Sequence, residues 1–251
     1  MEKYLIFLFP LILGFSNASA EIVIQNDQAY FGDNGAMHIV GEIRNDFNVP
    51  LNQIEILASL YSNGEIIDQT SATSLINTIM PGMKSPFDII IFGEKAKTIE
   101  SYSLELNYQI TNPKHQVIEI TSSEFSMDNL DNLFIIGTVA NQGEITANTI
   151  VVVATLYDRD GKVAAVSKTH TRPDYLRAAD ETFFLVTIPD KLQAKTVVDY
   201  SLVAESEEYA PVPEFPLGTS LLLASSVSLY VIFTRYSSKL ITNHDSASNP
   251  K

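Results

Sequence analysis

Between positions 54 and 61 the side chains alternate strictly. Ile54, Ile56, Ala58 and Leu60 share one face, while Glu55, Leu57, Ser59 and Tyr61 share the other. A period of two predicts a strand with one face buried. "SNGE" follows, with Gly64 able to take the positive φ of a hairpin turn, and apolar residues resume in "EIIDQT". The same sentence is written again further on. Ile150, Val152, Ala154 and Leu156 form the inward set, "DRDGK" supplies Gly161 for the turn, and "KVAAVS" is the return strand. "MPGMKSPF" predicts another turn, in which Pro81 fixes φ and Gly82 relaxes it, before the buried run "FDIIIF".

The repetition has a register. A shift of 96 positions aligns Gly41 with Gly137, Asn45 with Asn141, Asn52 with Asn148, Ile54 with Ile150, Ala58 with Ala154, Leu60 with Leu156 and Tyr61 with Tyr157. With small slips the match continues through Gly64 and Gly161, Phe87 and Phe184, and "YSL" at Tyr102 and Tyr200. A tandem repeat of about 95 residues, made of short strands with turns every eight to twelve residues, predicts an all-β protein of two tandem immunoglobulin-like β-sandwich domains. They are expected over residues 21–112 and 113–205, with "TNPKH", Thr111 to His115, as the joint.

The chain ends change the picture. Residues 1–20 carry Lys3, the apolar run "YLIFLFPLILGF" and the small residues of "SNASA", the pattern of a secretory signal peptide cleaved after Ala20; an uncleaved anchor is the alternative. Residues 206–216 belong to "ESEEYAPVPEFP", an acidic, Pro-rich segment expected to be an extended stalk. Residues 217–236 are apolar and uncharged up to Arg235, close to the length that spans about 30 Å of hydrocarbon, so a transmembrane helix is expected there. Glu205, Glu207, Glu208 and Glu214 precede it, whereas Arg235 and Lys239 follow. The basic side faces the cytoplasm, leaving residues 237–251 as a cytoplasmic tail and the repeats outside the cell membrane.

Charge and composition narrow the function classes. The 251 residues include no cysteine, which excludes disulfides, thiolate metal sites and a cysteine nucleophile. A net charge of −14 excludes nucleic acid as a partner and disfavours anionic lipid surfaces.

The repeated residues resemble the FxLYD family of small extracellular β-domains. "ASLYSNG" (with Leu60, Tyr61 and Gly64) and "ATLYDRDG" (with Leu156, Tyr157, Asp158 and Gly161) stand where that family places its Leu-Tyr-Asp strand end and glycine hairpin, preceded by Gly41 and Asn45 or Gly137 and Asn141. Alanine (Ala58, Ala154) replaces the family's phenylalanine, Ser62 replaces the aspartate in the first copy, and Ala178 and Ala179 stand where the first copy has Pro81 and Gly82. The resemblance implies adhesion or scaffold modules with no catalytic residues. "VPEFPLGTSLLLASSVSLYVIFTRYSSK" in turn resembles archaeal C-terminal sorting signals, in which Pro213, Glu214 and Phe215 would mark the site where an archaeosortase cuts. A plain single-pass anchor is the other reading of the same segment. Both imply an archaeal surface protein.

Candidate chemistry is sparse. His38, His115, His170 and His244 are scattered, with no spacing suited to zinc or copper on one element, and are expected to be isolated. No nucleophile elbow, phosphate loop or H-E-x-x-H occurs. "DRDG" (Asp158 to Gly161) and "DNLDN" (Asp128 to Asn132) gather oxygen donors but lack the full calcium-loop pattern, so turn chemistry is expected, with weak Ca²⁺ binding as the alternative. No cofactor is expected. The functional expectation is a non-enzymatic, membrane-anchored extracellular spacer, adhesion or protein-binding module. The alternative is an accessory subunit of a membrane enzyme or transport complex, docking through its β-domains and helix.

Overall fold

The computed structural model describes residues 21–188 and 190–212. The expected signal peptide with Ala20, the expected sorting motif Pro213, Glu214 and Phe215, the expected transmembrane segment 217–236 and the expected tail all lie outside them. Among the described residues no helix is long and apolar enough to cross a membrane.

The fold is all-β, built from several sheets in the layered manner of a β-sandwich. The first half contains β1 (Ile22–Phe31), β2 (Met37–Asn45), β3 (Leu51–Ser62), β4 (Glu65–Thr73), β5 (Thr78–Ile79), β6 (Lys84–Ile91) and β7 (Ser101–Ile110). One sheet runs β1-β2-β6; the other runs β4-β3-β7, with β5 also paired to β3. The second half contains β8 (Gln116–Met127), β9 (Leu133–Asn141), β10 (Ala147–Asn148), β11 (Val151–Tyr157), β12 (Val163–His170), β13 (Tyr175–Leu176), β14 (Glu181–Ile188), the single-turn helix α1 (Lys191–Ala194), β15 (Asp199–Glu205) and β16 (Ala210–Pro211). Its sheets run β14-β9-β8-β16 and β12-β11-β15, with β10 and β13 as a short extra pair. Element by element, β8 to β15 retrace β1 to β7, and α1 occupies the place of the 3-10 turn Glu94–Thr98.

The alternation read from the chain fills the layers. Ile54, Ile56, Ala58 and Leu60 belong to one buried cluster with Ile39, Ile43, Phe87 and Ile89, and Ile150, Val152, Ala154 and Leu156 to another with Ile135, Val139, Phe184 and Val186. Both are sheet-on-sheet cores of branched aliphatic side chains. Gly41 lies under the ring of Phe87, where an added Cβ would stand 2.7 Å from the ring; at Gly137 an added Cβ would meet the backbone carbonyl of Ser122 first and then the ring of Phe184 at 2.5 Å. Glycine is required at both because no methyl fits, beneath the ring at Gly41 and between ring and backbone carbonyl at Gly137.

The same buried asparagine organises each half. Asn45 Nδ2 donates to the carbonyls of Val49 and Ile79, and its Oδ1 accepts from the Phe47 amide. Asn141 Nδ2 donates to Ile145 and Leu176, and its Oδ1 accepts from the Gly143 amide. The Asn45 carbonyl takes the Gly82 amide, and the Asn141 carbonyl takes that of Ala179. Gly82 has φ 77°, and Ala179 reaches the same left-handed region at 63° despite its Cβ.

One expectation is corrected. Residues 206–212 do not begin as a stalk. Tyr209 and Ala210 are buried, β16 pairs in parallel with β8, and Ala210 donates to the His115 carbonyl. Glu208 accepts from the Asn148 amide and side chain, and the Tyr209 hydroxyl accepts from the Ile145 amide. The segment closes the edge of its sheet because a buried tyrosine and paired backbone outweigh its acidic composition.

Candidate functional site

The chemistry in this molecule gathers where its two halves meet. β12 lies across the outer face of β1, β2 and β6, the face opposite the first core. That face carries Tyr30, His38, Val40, Glu42, Lys84, Pro86, Asp88 and Ile90, since strand alternation turns the intervening residues inward. Val40 and Glu42 are thereby fully enclosed. The loop before β5 sends Ile76 and Leu75 against Val151, Val153 and Val203 on the outer face of β11 and β15, making a third apolar cluster between the halves, with Val203 also packed against the first core.

Two carboxylates are buried in this junction, and their environments drive them in opposite directions. Glu42 is 1% exposed. Its Oε1 accepts from Lys84 Nζ at 2.9 Å, Asn26 Nδ2 at 2.6 Å and Gln25 Nε2 at 3.1 Å, and its Oε2 accepts from the Tyr157 hydroxyl at 2.9 Å. Burial works to raise its pKa, but the Lys84 ammonium and the amide donors outweigh it and hold the carboxyl below the usual range. Glu205, 2% exposed, accepts the Asn77 amide at 2.9 and 3.0 Å from the other half. Here burial dominates and raises the pKa, against the backbone donors of Asn77 and Thr78 and the more distant Lys168 and Lys114. Burial, followed by the charge of Glu42, raises the Tyr157 phenol, which therefore stays a proton donor.

Beside this network opens a cleft of about 160 Å³, lined by Tyr30, Asp33, Asn34, His38, Asp88 and Asp190 together with Ala165, Val166 and Ile188. His38 Nδ1 lies 2.9 Å from Asp88 Oδ2, and its ring stacks on Tyr30 at 5.0 Å between centroids. The Asp88 hydrogen bond raises the pKa of His38 against the opposing effect of its burial. Asp33 and Asp190 clasp the cleft's mouth: Asp190 Oδ2 accepts from the Asp33 amide, and Asp33 Oδ2 accepts from the Lys191 amide, each at 2.8 Å. Asp190 also caps α1 through the Gln193 amide. The arrangement orients an imidazole against a carboxylate and joins two bodies.

The residues singled out from sequence divide between the two cores and the junction. Leu60 and Leu156 are fully buried, one in each core. Gly64 and Gly161 hold the hairpin turns at φ 78° and 75°. Tyr61 meets Ser103 on the outer surface of the first half, whereas its counterpart Tyr157 enters the junction. Asp158 accepts from the Asp160 and Lys162 amides of its own turn, and Asp128 does the same for Leu130 and Asn132. Among the described residues, no group of three or more His, Asp or Glu is placed to hold a metal ion. His38, expected to be isolated, is paired. Its partner stands 50 positions away on the neighbouring strand, beyond any local spacing rule. Glu42, Glu205 and Asp88 carried no local signal.

No family model matches the chain, and no curated protein sequence matches it. Among solved structures, the exo-chitosanase CsxA of Amycolatopsis orientalis aligns with 77% of this chain and 26% of its own at 12% identity and a TM-score of 0.28. A β-D-mannosidase from Dictyoglomus thermophilum aligns with 74% of this chain and 30% of its own at 9% identity and 0.27. Red sea bream transglutaminase aligns with 76% and 29% at 8% identity and 0.24. The chain spans under a third of the length of each, and likenesses this distant carry no functional argument.

Proposed function

We propose that this chain is a non-enzymatic, membrane-anchored extracellular protein whose tandem immunoglobulin-like, FxLYD-type sandwiches act together as one stiff spacer or protein-binding module. The supporting observation is the junction. Two halves that a flexible linker would leave independent are instead joined by enclosed carboxylates, Glu42 held by Lys84 and Tyr157 and Glu205 held by the Asn77 amide, and by the apolar contact of Ile76 with Val151 and Val153. Such a junction suits transmission of position rather than opening and closing on a substrate. Asp33 and Asp190 bind backbone amides across the junction and so serve assembly, while His38 makes its hydrogen bonds to Asp88 within the first half.

The export signal ending at Ala20, the motif Pro213, Glu214 and Phe215, and the apolar segment 217–236 motivate placing the module outside the cell membrane. Its acidic surface fits solubility there and contact with proteins rather than nucleic acid.

Protease applied to intact cells tests the placement. Digestion of the epitope-tagged 21–205 region without lysis is expected; complete protection until lysis would refute it. Stoichiometric recovery of membrane-enzyme or transporter subunits in mild detergent would instead favour the accessory-subunit reading.

A further inference from the structure

The outer faces of the β1-β2-β6 and β8-β9-β14 sheets occupy equivalent places in the two halves, yet among the described residues only one is covered. In the first half Val40, Glu42, Pro86 and Asp88 lie beneath β12. The matching positions of the second half are Ile136, Thr138, Phe183 and Leu185, and there Phe183 is 80% exposed, Leu185 51% and Ile136 41%. A contiguous apolar face is unusual on a chain with a net charge of −14, and such faces mark association.

Register gives this face a particular shape. β14 and β9 pair Phe183 with Thr138, Leu185 with Ile136 and Thr187 with Phe134. The result is a grid with a large and a small residue at one end, the reverse at the other, and two aliphatic residues between. Laid against a copy of itself about a two-fold axis in the sheet plane, along or across the strands, it sets every phenylalanine opposite a threonine. Large opposite small is how packed sheet faces interdigitate. Ser122, Glu124 and Ser126 of β8 line one side of the grid, with Glu124 directly beside Ile136, and Glu181 stands at its end; all four are at the rim, where water screens the charges.

Head-to-tail stacking is disfavoured by the other surface available. In the second half, the side that covers β2 and β6 includes Val151, Val153 and Val203. Its counterpart in the first half is Glu55, Leu57, Ser59, Ser71, Ser103 and Glu105, a single aliphatic side chain set between Ser71 and Glu105 and among polar neighbours, a surface poorly matched to Phe183.

The geometry points to a second copy of this chain as the occupant of the β9-β14 face, packed face to face in a closed two-fold dimer. This goes beyond the module reading and holds wherever the chain resides.

Because the chain has no cysteine, single introduced cysteines report contact cleanly. Full-length protein in mild detergent is expected to show a light-scattering polypeptide mass of two chains, and Phe183→Ser is expected to halve it without shifting the melting temperature. On oxidation, Leu185→Cys, alone or mixed with Ile136→Cys, is expected to give a disulfide dimer in high yield, while Ser71→Cys gives none. A one-chain mass at 100 µM, with Leu185→Cys cross-linking no better than Ser71→Cys, would overturn the proposal. So would a Leu185→Cys to Ser71→Cys heterodimer, which marks head-to-tail stacking. A one-chain mass with adsorption to phosphatidylglycerol vesicles that Phe183→Ser abolishes would assign the face to lipid and overturn it as well.

Discussion

Two asparagines show how much of each half rests on single residues. Asn45 is fully buried and satisfies two carbonyls and one amide, of which the bond to the Ile79 carbonyl is itself fully buried. Asn45→Ala leaves all three wanting, and a loss of roughly 3 kcal/mol is expected in chemical denaturation. Asn141→Ala should cost about the same, because its bonds are the same. Ala179 predicts a gain. Alanine at φ 63° bears about 1–2 kcal/mol of left-handed strain, partly offset by the entropy glycine brings to the unfolded chain. Ala179→Gly, restoring the residue at the equivalent position 82, should stabilise by about 1 kcal/mol and raise Tm by a few degrees.

At the scale of elements, period-two alternation made β3 and β11 legible, because burial on one face imposes it. The junction was less legible, since a charged residue in a strand reads as solvent-facing unless something distant covers it. A signal did exist: "VVVAT" is apolar on both faces where the first copy has "IEILAS", and a strand apolar on both faces is covered on both. The packing of residues 206–212 left no such trace, as one aromatic anchor and a two-residue pairing have no period. Glu205, on β15, carries the pH prediction. Its pKa is raised in the folded state, so the fold binds its proton more readily than the unfolded chain does. Stability from this group is therefore greatest below the usual carboxylate value and declines as pH rises toward the folded pKa, then stays level. Glu205→Gln keeps an acceptor for Asn77 and removes the buried charge. Its stability relative to the parent should rise between pH 4.5 and 7.5. A difference that is flat or falling over that interval would count against burial as the dominant effect.

Across the described residues the two halves repeat one strand order and differ according to what each touches. The first half carries a mostly polar β3-β4-β7 surface and has Glu42, Lys84 and Asp88 on the face its neighbour covers; the second has Val151, Val153 and Val203 on one corresponding surface and Ile136, Phe183 and Leu185 on the other. Divergence of this kind follows from fixed contact between the halves, and that contact is the central claim. Spin labels at Gln69→Cys and Arg177→Cys, exposed positions in opposite halves of a chain without native cysteine, test it most directly through the inter-label distance measured by pulsed electron resonance in the full-length protein. Diluting labelled with unlabelled chains confines the measurement to pairs within one molecule. The account predicts one narrow distance distribution, broadened when Glu42→Ala and Ile76→Ser loosen the junction. A broad distribution in the parent chain, unchanged by those substitutions, would contradict it.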